Sequence, residues 1–491
     1  MKSVALILLA VCVNFAVWGA AKSRAELFYE NGYNYFWGTN GFKKDVVKAV
    51  KLFTMAAKAG HGWAQLSLAK ILCSDIAGKR DYAQAFFWAK KSAEKVTQAN
   101  MLLGWFYMSG KGGEYDPAAG FKCYQKVAYH RLPDGYGGLA WCYILGKGTA
   151  INIPLALENL QKGAERGDII SQWMLASCYF YGQFVPVDRA AAEYWFRKFR
   201  KRAQWYAENG APGGYYQLGM MFRFGLLEPY DMKECLKLWK QAAEEGYADA
   251  GYAYALELLN GAAEVRNVPE AVKMLKLFAN EKLAAKLKLI CLYDRGIEVE
   301  RDKAYAERLF KEVMVKFKAE RAECQELLAL GQMLQAGIGC PVDPEGAEKY
   351  FQQAMKKLRP QAENGVMFSQ MLLGYCSYFG EGIRIDRNAA KENLISARAL
   401  IENHAMYDEG MALALYGVMH LHGWGVAKSP EKAVKYLKRA CEHENEFAAY
   451  ALYEMYRDGN GVERSRREAE KYLKFAADRK YPPALAEKKQ R

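Results

Sequence analysis

Three Ser-x-x-Lys pairs, Ser67/Lys70, Ser92/Lys95 and Ser429/Lys432, have the spacing at which a lysine amine could activate a serine hydroxyl, the chemistry of penicillin-recognising serine enzymes. The companion Ser-Asp-Asn and Lys-Thr-Gly elements are missing, and three occurrences in one lysine-rich helical chain point to chance. Ser429, followed by Pro430, reads better as a helix N-cap with proline in the first helical position. Of the six histidines only His420 and His422 are close, and two positions apart on a helix they point to different sides, which separates them as ligands of one metal. The cysteines include no Cys-x-x-Cys pair, so neither a zinc site nor a dithiol redox motif is indicated. Gly-x-Ser-x-Gly, His-Glu-x-x-His and phosphate-binding loops do not occur, and nothing singles out a carboxylate pair of glycosidase type. The expectation is a protein that is not an enzyme, with no catalytic residue, cofactor or metal.

The elements that would have to position any such residues are set by an internal repeat. Taking Gly104 in Leu103-Gly104-x-x-Tyr107-x-x-Gly110 as an anchor, equivalent anchors fall at Gly32, Ala69, Ala140, Ala176, Gly219, Ala255, Ile290, Gly331, Gly374, Gly417 and Tyr453. Six residues after eleven of the twelve anchors stands glycine, with Asp75 the exception, and twelve residues after eleven of them stands Asp, Asn or Ser; the first repeat has Asp45, one residue late. Glycine there ends a helix in the left-handed conformation, and the short polar residue caps the start of the next by accepting from free backbone N–H groups. Four residues past the cap a second apolar stripe begins, as in Ala347-x-x-Tyr350-Phe351 and Ala433-x-x-Tyr436-Leu437, at offsets that occupy one face of a helix. Gly or Ala occupies ten anchors, which lets the paired helices approach closely. Neither helix of such a pair can bury its stripe alone, so the expectation is an all-α superhelical solenoid of about twelve helix–turn–helix units. Anchor spacings of 41 to 43 instead of 35 to 37 after repeats five, eight, nine and ten predict longer second helices in those four.

These units, Leu103-Gly104-x-x-Tyr107-x-x-Gly110 with Asp116 and Leu175-Ala176-x-x-Tyr179-x-x-Gly182 with Asp188, resemble the Sel1-like repeat, a longer-turn relative of the tetratricopeptide repeat. The resemblance runs from about Ala25 to Ala477. It implies a scaffold or adaptor that holds partner proteins, with exported bacterial members serving cell-envelope polysaccharide assembly and a cysteine-rich branch proposed to recognise cell-wall or β-lactam compounds. That branch pairs cysteines within repeats, whereas Cys441 here has no evident partner in the first helix of its repeat.

The ends of the chain differ from the repeats. Lys2, the apolar run Val4 to Val17 and small residues at Gly19 and Ala21 read as a signal peptide over 1–21, cleaved before Lys22; an uncleaved anchor is the alternative. The expected organisation is a leader at 1–21, a solenoid at 22–477 and a polar, basic cap or tail at 478–491. The location is secreted or periplasmic, with no further segment able to span a membrane. Ten cysteines remain after the leader, and Cys142, Cys178 and Cys376 share one helical position where cysteine serves as a small buried apolar residue.

Positions that do not recur in identity are those free to meet a ligand. In tetratricopeptide geometry, the stripe three before, one after and four after each anchor lines the concave face, and here it is rich in aromatic residues. Tyr33, Trp105, Trp141, Trp173, Tyr216, Tyr252 and Tyr375 are the candidate partner-binding residues, rigid amphipathic rings suited to peptide grooves and sugar faces; packing between neighbouring helices is the alternative. The formal charge of +14 gathers at Arg197, Lys198, Arg200, Lys201 and Arg202, at Arg464, Arg466 and Arg467, and in the tail at Lys488, Lys489 and Arg491. That distribution fits either a solvated outer face or contact with anionic envelope polymers. Nucleic acid is not expected, since export removes the opportunity and no binding module is present. The expected function is a noncatalytic scaffold that binds a protein or peptide on its concave face in the cell envelope. The alternatives are binding of envelope carbohydrate or peptidoglycan by the same aromatic stripe, and hydrolysis of a β-lactam or muropeptide.

Overall fold

In a computed structural model that describes residues 22–74, 80–227, 229–261, 265–407 and 409–490, the chain forms twenty-six helices and no strand among those residues. The leader assigned to 1–21, and Asp75, the exception to the turn glycine, lie outside the described residues.

The repeats follow the helix, turn and capped-helix plan that the spacing predicts, although Gly261 in repeat seven is not left-handed. In the third, Ala99–Ser109 ends at Gly110, whose φ of 63° is left-handed, and Pro117–Tyr129 begins at the cap Asp116, whose carboxylate accepts the Ala119 N–H at 3.0 Å. The remaining predicted caps, from Asp45 to Ser465, all accept in the same way from the backbone two or three residues on. The small anchors are explained by what faces them. A methyl group on Gly104 would stand 2.6 Å from the Tyr124 ring, one on Gly219 2.4 Å from the indole of Trp239 and one on Gly331 2.5 Å from the Phe351 ring. The second helix of each of these repeats thus seats a large ring in the gap that the missing side chain leaves. Burial of such rings drives the pairing, at roughly 1.5–3 kcal/mol each; Phe53, Phe106, Phe196 and Phe278 are among the largest fully buried side chains.

The prediction of four long second helices holds for two. Arg189–Glu208 and Pro344–Glu363 each run for 20 residues. Seven added residues nearly complete two turns and keep the buried stripe in register. In repeat eight the gain is shorter, and prolonging the helix would rotate its apolar face away from the core. There Lys303–Lys316 stops at Phe317, which turns to extended backbone, and a loop absorbs the difference. In repeat ten the helix breaks at Ala397 into Arg387–Ser396 and Arg398–Met406. Asn393 and Ser396 there bond the carbonyls of Ala389 and Glu392, four residues back, an interaction that bends helices. The segment read as a polar tail contains a last helix, Pro482–Gln490, held by the buried Tyr481 and Ala484.

The chain packs as two compact units. One holds the residues up to Phe180 with Val185–Ala250, the other Tyr181–Phe184 with Gly251–Arg491. In the second unit, contacts reach well beyond neighbouring repeats. Arg295, at the end of Leu283–Arg295, pairs with Glu446, 151 positions later, and Lys480 reaches Asp294 at 2.7 Å. The end of the first helix of repeat 8 thus meets the start of the first helix of repeat 12.

Candidate binding faces and a buried charge network

Six of the seven candidate rings are half-buried: Tyr33, Trp105, Trp141, Trp173, Tyr216 and Tyr252. Each is partly packed within the helical layers. Trp173 lies against Phe196 and Phe199 of the following helix, with centroids at 5.6 and 4.9 Å, and Tyr216 stacks on Trp239 at 5.9 Å. Trp105 tilts against Tyr82, from the second helix of the preceding repeat, at 6.2 Å. In consecutive repeats a lysine just past the turn glycine covers a tryptophan: the Lys111 ammonium stands 5.3 Å from the Trp105 ring and the Lys147 ammonium 4.5 Å from Trp141. The structure thus gives Trp105 and Trp141 one local arrangement, an indole edge bordered by an ammonium group.

Tyr375 is a correction. It is 3% exposed, with its ring 5.0 Å from Phe379 and 4.9 Å from Phe447, and burial pushes its phenol well above the usual tyrosine range. Phe447 and Tyr481, 4.8 Å apart, fill the space in front of it, so it cannot line an open groove.

What the sequence reading missed is charge on the inside. Lys70, Asp168, Arg223, Asp294 and Glu381 are all buried. In the first unit, burial raises the Asp134 carboxyl while Arg202 and Lys70, from two other repeats, pull it back. Asp168 caps Ile169–Tyr181, accepting the Ser171 N–H at 2.8 Å; burial and the nearby Asp134 push it up to about 6. In the second unit Glu381 is pushed up to about 8 by burial, with Gln332 donating to it and Glu446 adding repulsion. A signal was present: Lys70, Arg223 and Asp294 stand one or four residues past an anchor, where the other repeats mostly carry apolar side chains.

The motif serines are buried or hydrogen-bonded within the fold. Ser67 is buried, the Ser92 hydroxyl donates to the Gly62 carbonyl at 2.8 Å, and Ser429 caps its helix through the Lys432 N–H. His420 and His422 diverge as expected: Nδ1 of the first meets the Ala427 carbonyl and Nε2 of the second the Tyr378 hydroxyl. Cys142, Cys178 and Cys376 are buried, and burial pushes the first two thiols up to about 12. Among the described residues no group of three or more His, Cys, Asp or Glu is placed to hold a metal, and no helix is long and apolar enough to cross a membrane. In the basic cluster, Arg197, Lys198, Arg200 and Lys201 are exposed, whereas Arg202 turns onto Trp205 and Tyr206. Residues 22–250 hold 30 Lys and Arg against 21 Asp and Glu, and residues 251–491 hold 38 against 34, so the excess of positive charge concentrates in the first half.

Comparison with known proteins gives twelve matches to the family described as the Sel1 repeat, at residues 29–61, 64–95, 97–130, 133–168, 169–201, 212–247, 248–283, 277–312, 322–357, 368–400, 410–445 and 447–481. An uncharacterised protein of Neisseria meningitidis serogroup B is 26% identical over 308 residues, which are 62% of this chain and 60% of that protein. Chitin synthase regulatory factor 3 of Schizosaccharomyces pombe is 26% identical over 235 residues, 46% of this chain and 24% of that one. Among solved structures, a protective antigen of uropathogenic Escherichia coli is 25% identical, with 94% of this chain and 88% of that chain covered and a TM-score of 0.33. A Sel1 repeat protein from Oxalobacter formigenes is 24% identical over 45% and 85%, with a TM-score of 0.37.

Proposed function

The chain belongs to the Sel1 repeat family, whose members are generally protein-interaction scaffolds, and from that premise we propose that it is a noncatalytic scaffold of the cell envelope that holds an acidic segment of a partner protein against the first helices of repeats three and four. The observation that carries this reading is the recurrence of one arrangement, Trp105 with Lys111 and Trp141 with Lys147, at the same place in consecutive repeats. An indole supplies apolar area at small entropic cost, and the ammonium beside it favours a carboxylate on whatever lies there. The excess of basic over acidic residues in 22–250 favours the same partners at longer range. The envelope location rests on the leader-like composition of residues 1–21.

The test is a titration of the intact chain with acidic and basic peptide pools and with envelope glycans, followed by tryptophan fluorescence. Binding of acidic peptides that weakens roughly tenfold or more in Trp105→Ala/Trp141→Ala is the expected result, as for aromatic anchors in other interfaces. Acidic-peptide binding that the double variant leaves intact, or a response to glycan alone, overturns the reading.

A further inference from the structure

In eight repeats the residue after the C-cap of the second helix is left-handed: glycine at Gly60, Gly167, Gly210, Gly246 and Gly365, and a residue with a side chain at Arg131, Glu444 and Lys480. Glu444 and Lys480 occupy that position in the last two repeats, each at a φ of 61°. Side-chain residues take this conformation at a cost, and at Glu444 and Lys480 side-chain contacts accompany it. Glu444 accepts from Arg479 Nε at 2.8 Å, tying the last two of these turns together. The Lys480 ammonium donates to the Gly337 carbonyl at 2.7 Å and pairs with Asp294 at 2.7 Å; the other Asp294 oxygen accepts the Gly339 N–H at 3.1 Å. Beside this lies the Arg295–Glu446 pair at 3.2 Å, with both side chains less than a fifth exposed.

A solenoid repeat normally touches only its neighbours. These contacts skip repeats and join the end of one first helix, Leu283–Arg295, to the start of Glu446–Asp458 and to the turn that leads into the last helix. We propose that Asp294, Arg295, Glu446 and Lys480 form an electrostatic latch that holds the second unit wound shut, and that releasing it uncovers the inner face bearing Cys291 and Tyr375. The latch is a device separate from the rest of the stack, because the helix pairs of repeats 8 to 12 are each held by their own anchors and caps. Cys291 reports on its state: it lies one turn before Arg295 on the same helix face, half-buried, in the fields of Arg295 and Glu446.

Lys480→Gly separates the latch from local folding, since glycine relieves the left-handed backbone while deleting the ammonium; Glu446→Gln is the second variant. The measurement is maleimide labelling of the native full chain, resolved by mass spectrometry at Cys291 and, as a reference in the first unit, at Cys142. Each variant is expected to label roughly tenfold or more faster at Cys291 with Cys142 unchanged, as for a local opening. An unchanged rate at Cys291 in Lys480→Gly overturns the proposal. So does equal acceleration at both cysteines, which would mean loss of the whole fold. If Glu446→Gln does not fold, Lys480→Gly alone decides.

Discussion

The guanidinium of Arg295 lies 3.2 Å from the carboxylate of Glu446 across 151 positions of chain, with side-chain exposures of 14% and 19%. Such a pair gains little over an apolar replacement but is costly to halve, because the remaining ion stays desolvated. Glu446→Gln is therefore expected to cost about 2–3 kcal/mol in urea unfolding. In a double-mutant cycle with Arg295→Met the coupling should exceed about 1 kcal/mol. Additive single effects would show that the two side chains merely lie close.

Glu381 gives a pH signature of known sign. Its carboxyl is raised from 4.5 to about 8, so between those values the folded protein keeps a proton that the unfolded chain loses. Its contribution is complete below pH 4.5, declines as pH rises, and is gone above about 8, for a total of up to a few kcal/mol. Glu381→Gln keeps an acceptor for the Gln332 amide and cannot ionise. Thermal melts from pH 5 to 9 should show the wild type falling relative to this variant; parallel curves would contradict the burial of the acid.

The anchor glycines make a steric prediction opposite to helix propensity. Alanine in mid-helix is normally favoured over glycine by about 1 kcal/mol. At Gly104, however, its methyl group would meet the Tyr124 ring at 2.6 Å, and Gly104→Ala should instead destabilise by about 1–3 kcal/mol through displacement of that ring. Tyr124→Leu combined with Gly104→Ala should recover part of the loss. Chemical denaturation of the single and double variants decides it; a stabilised single variant would refute the packing account.

The buried thiols should be nearly inert. Cys73, Cys142 and Cys178 are all pushed up from 9 to about 12 by burial. The thiolate fraction near pH 8 then drops by about a thousandfold, and native labelling at these three should be slower than in denaturant by at least that factor. Rapid native modification of any of the three would place it outside the core.

The legible part of this molecule is the part governed by local chemistry. Gly110 and Asp116 declare a helix end and a helix start through backbone needs that do not depend on distant residues, and the small anchor beside Leu103 declares a close helix pair. Repeat eight was misjudged because its added residues complete no whole number of turns, a test the spacing itself offered. Tyr375 and Asp294 could not be placed in this way. They occupy positions of the kind filled by Trp105 and Met108 in repeat three, and what differs is the element opposite: Phe447 and Tyr481 for one, Lys480 for the other. Those partners come from the path the chain takes after many repeats, to which no single unit testifies. The six half-buried candidate rings stand between the two cases, legible in type and position but not in how much surface they keep.

Arrays of like units commonly grow and shrink by gain or loss of whole copies, since each new copy finds the same neighbours as the old. Between Asp294 and Lys480 that freedom is gone. One more 36-residue module there, or one fewer, would carry the lysine a full step past its carboxylate and leave a charge stranded in the interior. In this stretch the copy number is itself a dimension of the machine, as fixed as the length of a bolt.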